Sequence, residues 1–258
     1  MDDDQQPGML RTDAVTVASG LPRLLAAPTM LLSAPRSGST LLRAVLGSHS
    51  RLHAPHEITL NKITVDVPFG VVEGQLRQVR TRQDLEHLLW DRVLHAELQR
   101  SGKPRIVHKS PGDVLAWERL AACWPDARWV FLLRHPANIL QSWVDATDHG
   151  PDASAAHLLT FMTALDAARA ALPGITVRYE QLVADPAAHV ARVCDHLGEP
   201  FEPAMLNYGQ HGHGPFRRGF GDWSDNINSG RIQTGRPLPP PSRIPHVLRP
   251  VCEAWGYA

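Results

Sequence analysis

Short apolar runs alternate with amphipathic stretches along most of the chain. Thr29–Ala34 is an apolar run, Pro35–Ser39 is a turn-rich loop, and Thr40–Leu46 has helix-forming composition. Apolar residues at Leu85, Leu88, Leu89, Val93, Leu94 and Leu98 recur at helical spacing, which predicts an amphipathic helix over Asp84–Leu98. A second alternation follows. It reads as strand Arg105–His108, helix Val114–Cys123, strand Arg128–Leu133, helix Ala137–Ala146, helix Ser154–Leu172, strand Ile175–Tyr179 and helix Ala187–Leu197. Strands alternating with helices imply the α/β class: three layers, α/β/α, around a central, mostly parallel sheet.

Two stretches break the pattern. Residues 52–75 are punctuated by Pro55, Pro68, Gly70 and Gly74, and Asn207–Pro241 is rich in Gly, Pro, Arg and His with little periodicity. A loop as long as the second is usually functional or disordered. Ile244–Tyr257 reads as a short closing helix. Residues 1–24 read as a flexible leader and 25–258 as a single domain, since no repeat or linker divides them.

Composition narrows the function classes. Of 258 residues 43% are hydrophobic, enough for a sizeable core. Lys plus Arg and Asp plus Glu each total 26, so no global positive field points to a nucleic-acid partner, and any anion site must be local. Cys123, Cys194 and Cys252 are scattered and read as thiols of a reducing compartment. The acidic start Met1–Asp4 does not suit a secretory signal, and no apolar stretch reaches the ~20 residues of a membrane span. The expected location is cytoplasmic.

The strongest chemical feature is Pro35-Arg-Ser-Gly-Ser-Thr40 between the first strand and helix. Ser37, Gly38, Ser39 and Thr40 bring backbone N–H groups and hydroxyls to a helix start, where the macrodipole also favours an anion. Arg36 adds a planar cationic fork. The nucleoside-triphosphatase loop needs Gly-x-x-x-x-Gly-Lys-Ser/Thr, and the lysine is missing here, which disfavours a nucleotide kinase.

These residues resemble the 5′-phosphosulfate loop of sulfotransferases that use 3′-phosphoadenosine 5′-phosphosulfate (PAPS), a bacterial-type family with a P-loop-like nucleotide-binding fold. Leu133-Arg-His-Pro136 with Ser142 is similar to the family's 3′-phosphate element. Lys109-Ser-Pro111 resembles its catalytic-lysine segment, Tyr179-Glu-Gln-Leu182 its adenine-side segment, and Arg217-Arg-Gly-Phe-Gly-Asp-Trp223 the loop that closes over the 3′-phosphate. The resemblance implies donor contacts from Arg36, Ser37, Gly38, Ser39, Thr40, Leu41, Arg134, Ser142, Tyr179, Arg217, Arg218 and Gly219.

Reaction chemistry is implied in the same way. Sulfuryl transfer is an in-line displacement in which positioning and charge stabilisation supply most of the catalysis. Arg36 and Lys109 are the expected cationic groups. Ser50-Arg-Leu-His-Ala-Pro-His-Glu57 resembles the segment that carries a glutamate base, so Glu57 is the expected base and His56 the runner-up. His108, preceding Lys109 on a strand, is expected to face the opposite side. His211-Gly-His213 is the tightest histidine pair but lacks a third ligand, and no metal is expected. The acceptor is expected to be a small-molecule hydroxyl: a secondary metabolite, a sugar or a lipid. A P-loop nucleotide kinase or a non-catalytic nucleotide-binding module is the alternative, and oligomeric state is not readable.

Overall fold

The computed structural model describes residues 22–66, 74, 81–216, 221–222 and 224–257. The expected leader lies outside the described residues up to residue 21.

Five strands form the sheet: β1 Thr29–Ser33, β2 Leu52–His53, β3 Arg105–Lys109, β4 Arg128–Leu133 and β5 Gly174–Arg178. Their order is β2-β3-β1-β4-β5, and every adjacent pair is parallel. Parallel pairing sends all strand C-termini to one edge, so the loops after β1, β3 and β4 open together, as in other open α/β sheets. The helices are α1 Ser39–Gly47, α2 Arg82–Ser101, α3 Trp117–Cys123, α4 Pro136–Val144, α5 Pro151–Ala171, α6 Tyr179–Ala184, α7 Pro186–Leu197, α8 Asp225–Asn228 and α9 Arg249–Ala254.

The central strands are buried on both faces, which explains their near-continuous apolar runs. Met30 and Leu32 of β1, with Trp129 and Phe131 of β4, face a core that also holds Trp90, Trp124 and Leu158. Leu31, Val130 and Leu132 face the opposite core with Leu42, Val45 and Val193. That is the expected α/β/α sandwich. All three cysteines are free and buried. Among the described residues no helix is long and apolar enough to cross a membrane.

Differences from the sequence pattern have local causes. The two-residue β2 carries too little alternation to read. It is held by pairing of Leu52 with Arg105 and of His53 with Ile106. Lys103 Nζ adds three bonds, to the carbonyls of Gly47, His49 and Leu52 at 2.8–2.9 Å. Thr81 and Asp84 form a capping box that starts α2 two residues before its first expected position. Pro111 and Gly112 turn the start of the expected Val114–Cys123 helix into 3₁₀ geometry over Pro111–Ala116. Tyr179, expected on a strand, is the first residue of α6. The described part of the long 207–241 stretch is organised around buried Tyr208, whose hydroxyl lies 3.1 Å from the carbonyls of Ile227 and of Arg231.

Candidate functional site

The loop from β1 to α1 gathers hydrogen-bond donors at a helix start. Gly38 takes the N-cap position at φ +88°, and no side chain caps the helix, which leaves first-turn N–H groups available. A Cβ built on Gly38 would run into the Tyr179 ring, so glycine is required by conformation and by space alike. Arg36 holds a left-handed conformation at φ +62°, a strained state for a residue with a side chain.

Arg134, just past β4, secures that conformation by donating from its NH1 to the Arg36 carbonyl at 2.8 Å. Its guanidinium also lies 4.4 Å over the Tyr179 ring. Burial draws the Arg134 pKa down, opposed by Tyr179 and Glu180. Arg134 Nε is buried without a hydrogen-bond partner among the described residues. Arg36 Nε donates to Ser142 Oγ at 3.2 Å, and its NH2 pairs with Asp222 at 3.4 Å. The eight-residue spacing thus brings Arg134 to the backbone and Ser142 to the side chain of one arginine.

The other wall comes from β3 and the segment after β2. Lys109 is buried at the end of β3, and its ammonium donates to the Glu57 carboxylate and reaches Thr40 Oγ1 at 3.5 Å. Burial lowers the Lys109 pKa, and Glu57 pulls it partly back. Behind them, Arg43 of α1 is only 1% exposed, and burial brings its guanidinium to about 10. Gly221 and Asp222 close over this corner. The Asp222 N–H donates to Thr40 Oγ1 at 3.0 Å, and a Cβ on Gly221 would stand 3.0 Å from Glu57 Oε1.

Phosphate loop, Arg134, Ser142, Tyr179 and Glu57 share a single cavity of about 440 Å³. Thr59, Tyr208, Ile227 and Gln233 also line it, drawn from the two stretches that lacked periodicity. Ser37 is fully buried and does not line it. His56 lines a second cavity of about 570 Å³ with His53 and His213, and Glu57 is the residue common to both. His108 turns the other way and bonds to Asp113 at 2.8 Å. Arg217, Arg218, Gly219 and Trp223 lie outside the described residues. The rings of His211 and His213 are 6.4 Å apart, and among the described residues no three His, Cys, Asp or Glu side chains could hold a metal ion.

Asp222 is the addition. Trp143 lines the cavity beside Ser142. The position of Asp222 within the quoted Gly-Asp-Trp segment was visible, but its pairing with Arg36 across 186 residues was not.

Comparison with known proteins gives the family and the fold. Residues 28–203 match the model of the Sulfotransferase family. Nodulation protein NoeE of Sinorhizobium fredii (strain NBRC 101917 / NGR234) is 27% identical over 215 residues, which cover 68% of this chain and 50% of NoeE. The chain thus spans about half the length of that relative. Among solved structures, the sulfotransferase domain from the curacin biosynthetic pathway superposes with a TM-score of 0.68 at 20% identity, covering 91% of this chain and 99% of that domain. The sulfotransferase domain from the Synechococcus PCC 7002 olefin synthase gives 0.64 at 23% identity, covering 91% and 97%.

Proposed function

Because the chain belongs to the Sulfotransferase family, we propose that it moves a sulfuryl group from PAPS onto the hydroxyl of a small-molecule acceptor, with Glu57 as base. The observation that carries this reading is the shared cavity. The start of α1, Arg36, Arg134 and the Glu57 carboxylate line the same space, and that carboxylate is paired with buried Lys109.

The residues present suit PAPS. The start of α1 and the Arg36 fork offer donors for a 5′-phosphosulfate, while Arg134, which lines the same cavity as Ser142 and Tyr179, keeps a buried N–H without a partner among the described residues. When bound, PAPS supplies the sulfuryl group and a nucleotide phosphate as leaving group. Arg36 and the helix N–H groups stabilise the charge that develops on that phosphate as the sulfur–oxygen bond breaks. Lys109, paired with Glu57, would supply positive charge on the same side of the site. Glu57 then takes the acceptor proton as the new oxygen–sulfur bond forms. The stretches 58–82 and 207–241 supply the acceptor walls through Thr59, Ile227 and Gln233.

The test has two parts. 3′-Phosphoadenosine 5′-phosphate should raise the melting temperature, and AMP far less, because Arg134 and Ser142 serve the 3′-phosphate. A screen of hydroxyl acceptors with labelled PAPS should then find product that Glu57→Ala and Arg134→Ala both abolish. Equal stabilisation by the two nucleotides, or unchanged product in both variants, overturns the reading.

A further inference from the structure

The sheet ladder between β4 and β5 ends at the pair Leu133↔Arg178. The next residue on each strand is Arg134 on one side and Tyr179 on the other, the two that stack at 4.4 Å. Beyond the last ladder pair the sheet itself no longer holds these segments in register. Glu180 takes over that task. Its Oε1 accepts the backbone N–H of His135 at 2.9 Å, and its Oε2 accepts the hydroxyl of Tyr257 at 2.6 Å. A residue adjacent to Tyr179 is thereby bonded to the backbone adjacent to Arg134.

The segment Trp255–Tyr257 is held against the same point. Arg178 donates to the Gly256 carbonyl at 3.1 Å and to that of Trp255, and its guanidinium lies 5.0 Å over the Tyr257 ring. The Tyr257 ring meets His135 edge-on, with centroids 5.1 Å apart. Burial and the Glu180 carboxylate push the Tyr257 phenol above its usual range, so it stays a proton donor to that carboxylate. Glu180 also opposes the lowering of the Arg134 pKa that burial causes.

We propose that Glu180, locked by Tyr257, is a positioning residue for the donor nucleotide, fixing Arg134 against Tyr179 where the β4–β5 ladder stops. The inference rests on the PAPS reading above. It assigns the segment Trp255–Tyr257 a part in donor affinity although that segment does not line the cavity.

The experiment measures affinities for 3′-phosphoadenosine 5′-phosphate and for AMP by calorimetry, on the full chain and on Glu180→Ala, Glu180→Gln and Tyr257→Phe, with the melting temperature of each. Loss of a hydrogen bond to a charged group at this point should weaken 3′-phosphoadenosine 5′-phosphate about tenfold in Glu180→Ala, and AMP much less. Glu180→Gln keeps an acceptor for His135 and a partner for Tyr257, and should recover most of the loss. Tyr257→Phe should raise KM for PAPS a few-fold and leave kcat at saturating donor unchanged. Unchanged affinity in both Glu180→Ala and Tyr257→Phe overturns the proposal, as does an equal fall for both nucleotides that Gln does not recover. If Glu180→Ala fails to fold, the Gln and Phe variants decide it by the same readouts. Failure of the parent chain to bind 3′-phosphoadenosine 5′-phosphate overturns the donor reading and this inference with it, whereas binding by the parent with unchanged variants overturns this inference alone.

Discussion

Lys109 and Glu57 meet as a partly buried ion pair at the C-terminal edge of the sheet, between the phosphate loop and the segment that follows β2. The lysine is sealed from solvent and the carboxylate is partly open to the cavity. Breaking one side of such a pair leaves the other charge uncompensated, so each partner controls the other. Glu57→Gln is expected to lower kcat about 100-fold or more, the usual scale for a lost general base, while 3′-phosphoadenosine 5′-phosphate still binds. Lys109→Met should lower kcat by a similar factor through lost charge stabilisation. Burial lowers the Lys109 pKa, so activity that needs its ammonium should fall on the alkaline side before the ordinary lysine range is reached. A pH–rate profile with an unchanged alkaline limb in Lys109→Met would remove Lys109 from the mechanism.

Asp222 holds the Arg36 fork that a phosphosulfate would use. The pair is 3.4 Å apart and partly exposed, so it contributes at most ~1 kcal/mol. Donor binding must exchange this carboxylate for phosphate oxygens. Asp222→Asn is therefore expected to tighten 3′-phosphoadenosine 5′-phosphate by up to about fivefold, read by calorimetry. Weaker binding in this variant would show that Asp222 supports the loop instead of competing for its arginine.

The sheet and most helices were legible because β1 and β4 are buried on both faces and so read as apolar runs, while α2 and α7 carry helical periodicity. The cradle was legible because Arg36–Thr40 is contiguous and its order encodes the turn. Contacts assembled across the fold were not. Arg134 reaches a carbonyl 98 residues away, and a carbonyl carries no sequence signal. Lys109 could be named but not paired, since its approach to Glu57 depends on β2, whose two residues leave no pattern. Tyr179 reads as part of β5 because Ile175–Arg178 runs into it without a break, whereas it is the first residue of α6.

Gly38 tests whether the cradle geometry is needed. Alanine there must adopt φ +88° and displace the Tyr179 ring, and that ring is stacked on Arg134. The left-handed conformation alone costs about 1–2 kcal/mol for a residue with a Cβ. For a chain of this size that lowers the melting temperature by about 2–8 °C. Gly38→Ala should show this loss, and 3′-phosphoadenosine 5′-phosphate should no longer raise the melting temperature. Retained nucleotide stabilisation in a folded Gly38→Ala would exclude the close approach of backbone to ligand.

Acid should destabilise the fold before the carboxylates titrate. His87 and His213 both have pKa values brought down to about 4, chiefly by burial and then by neighbouring arginines: Arg23 and Arg119 for His87, Arg43 for His213. In the unfolded chain each takes up its proton near the ordinary histidine value of about 6.5. Between these two values the unfolded state binds more protons than the folded state, so stability rises with pH through that window. The contribution is complete above the unfolded value and is lost as pH falls toward 4. Melting temperature at constant ionic strength is therefore expected to drop between pH 7 and pH 5. The drop should be shallower in His87→Gln and His213→Asn, whose side chains do not titrate in that window. Slope is the readout, because either substitution can shift the absolute melting temperature through packing. A slope equal to that of the parent in both variants would mean that these histidines do not set the acid sensitivity.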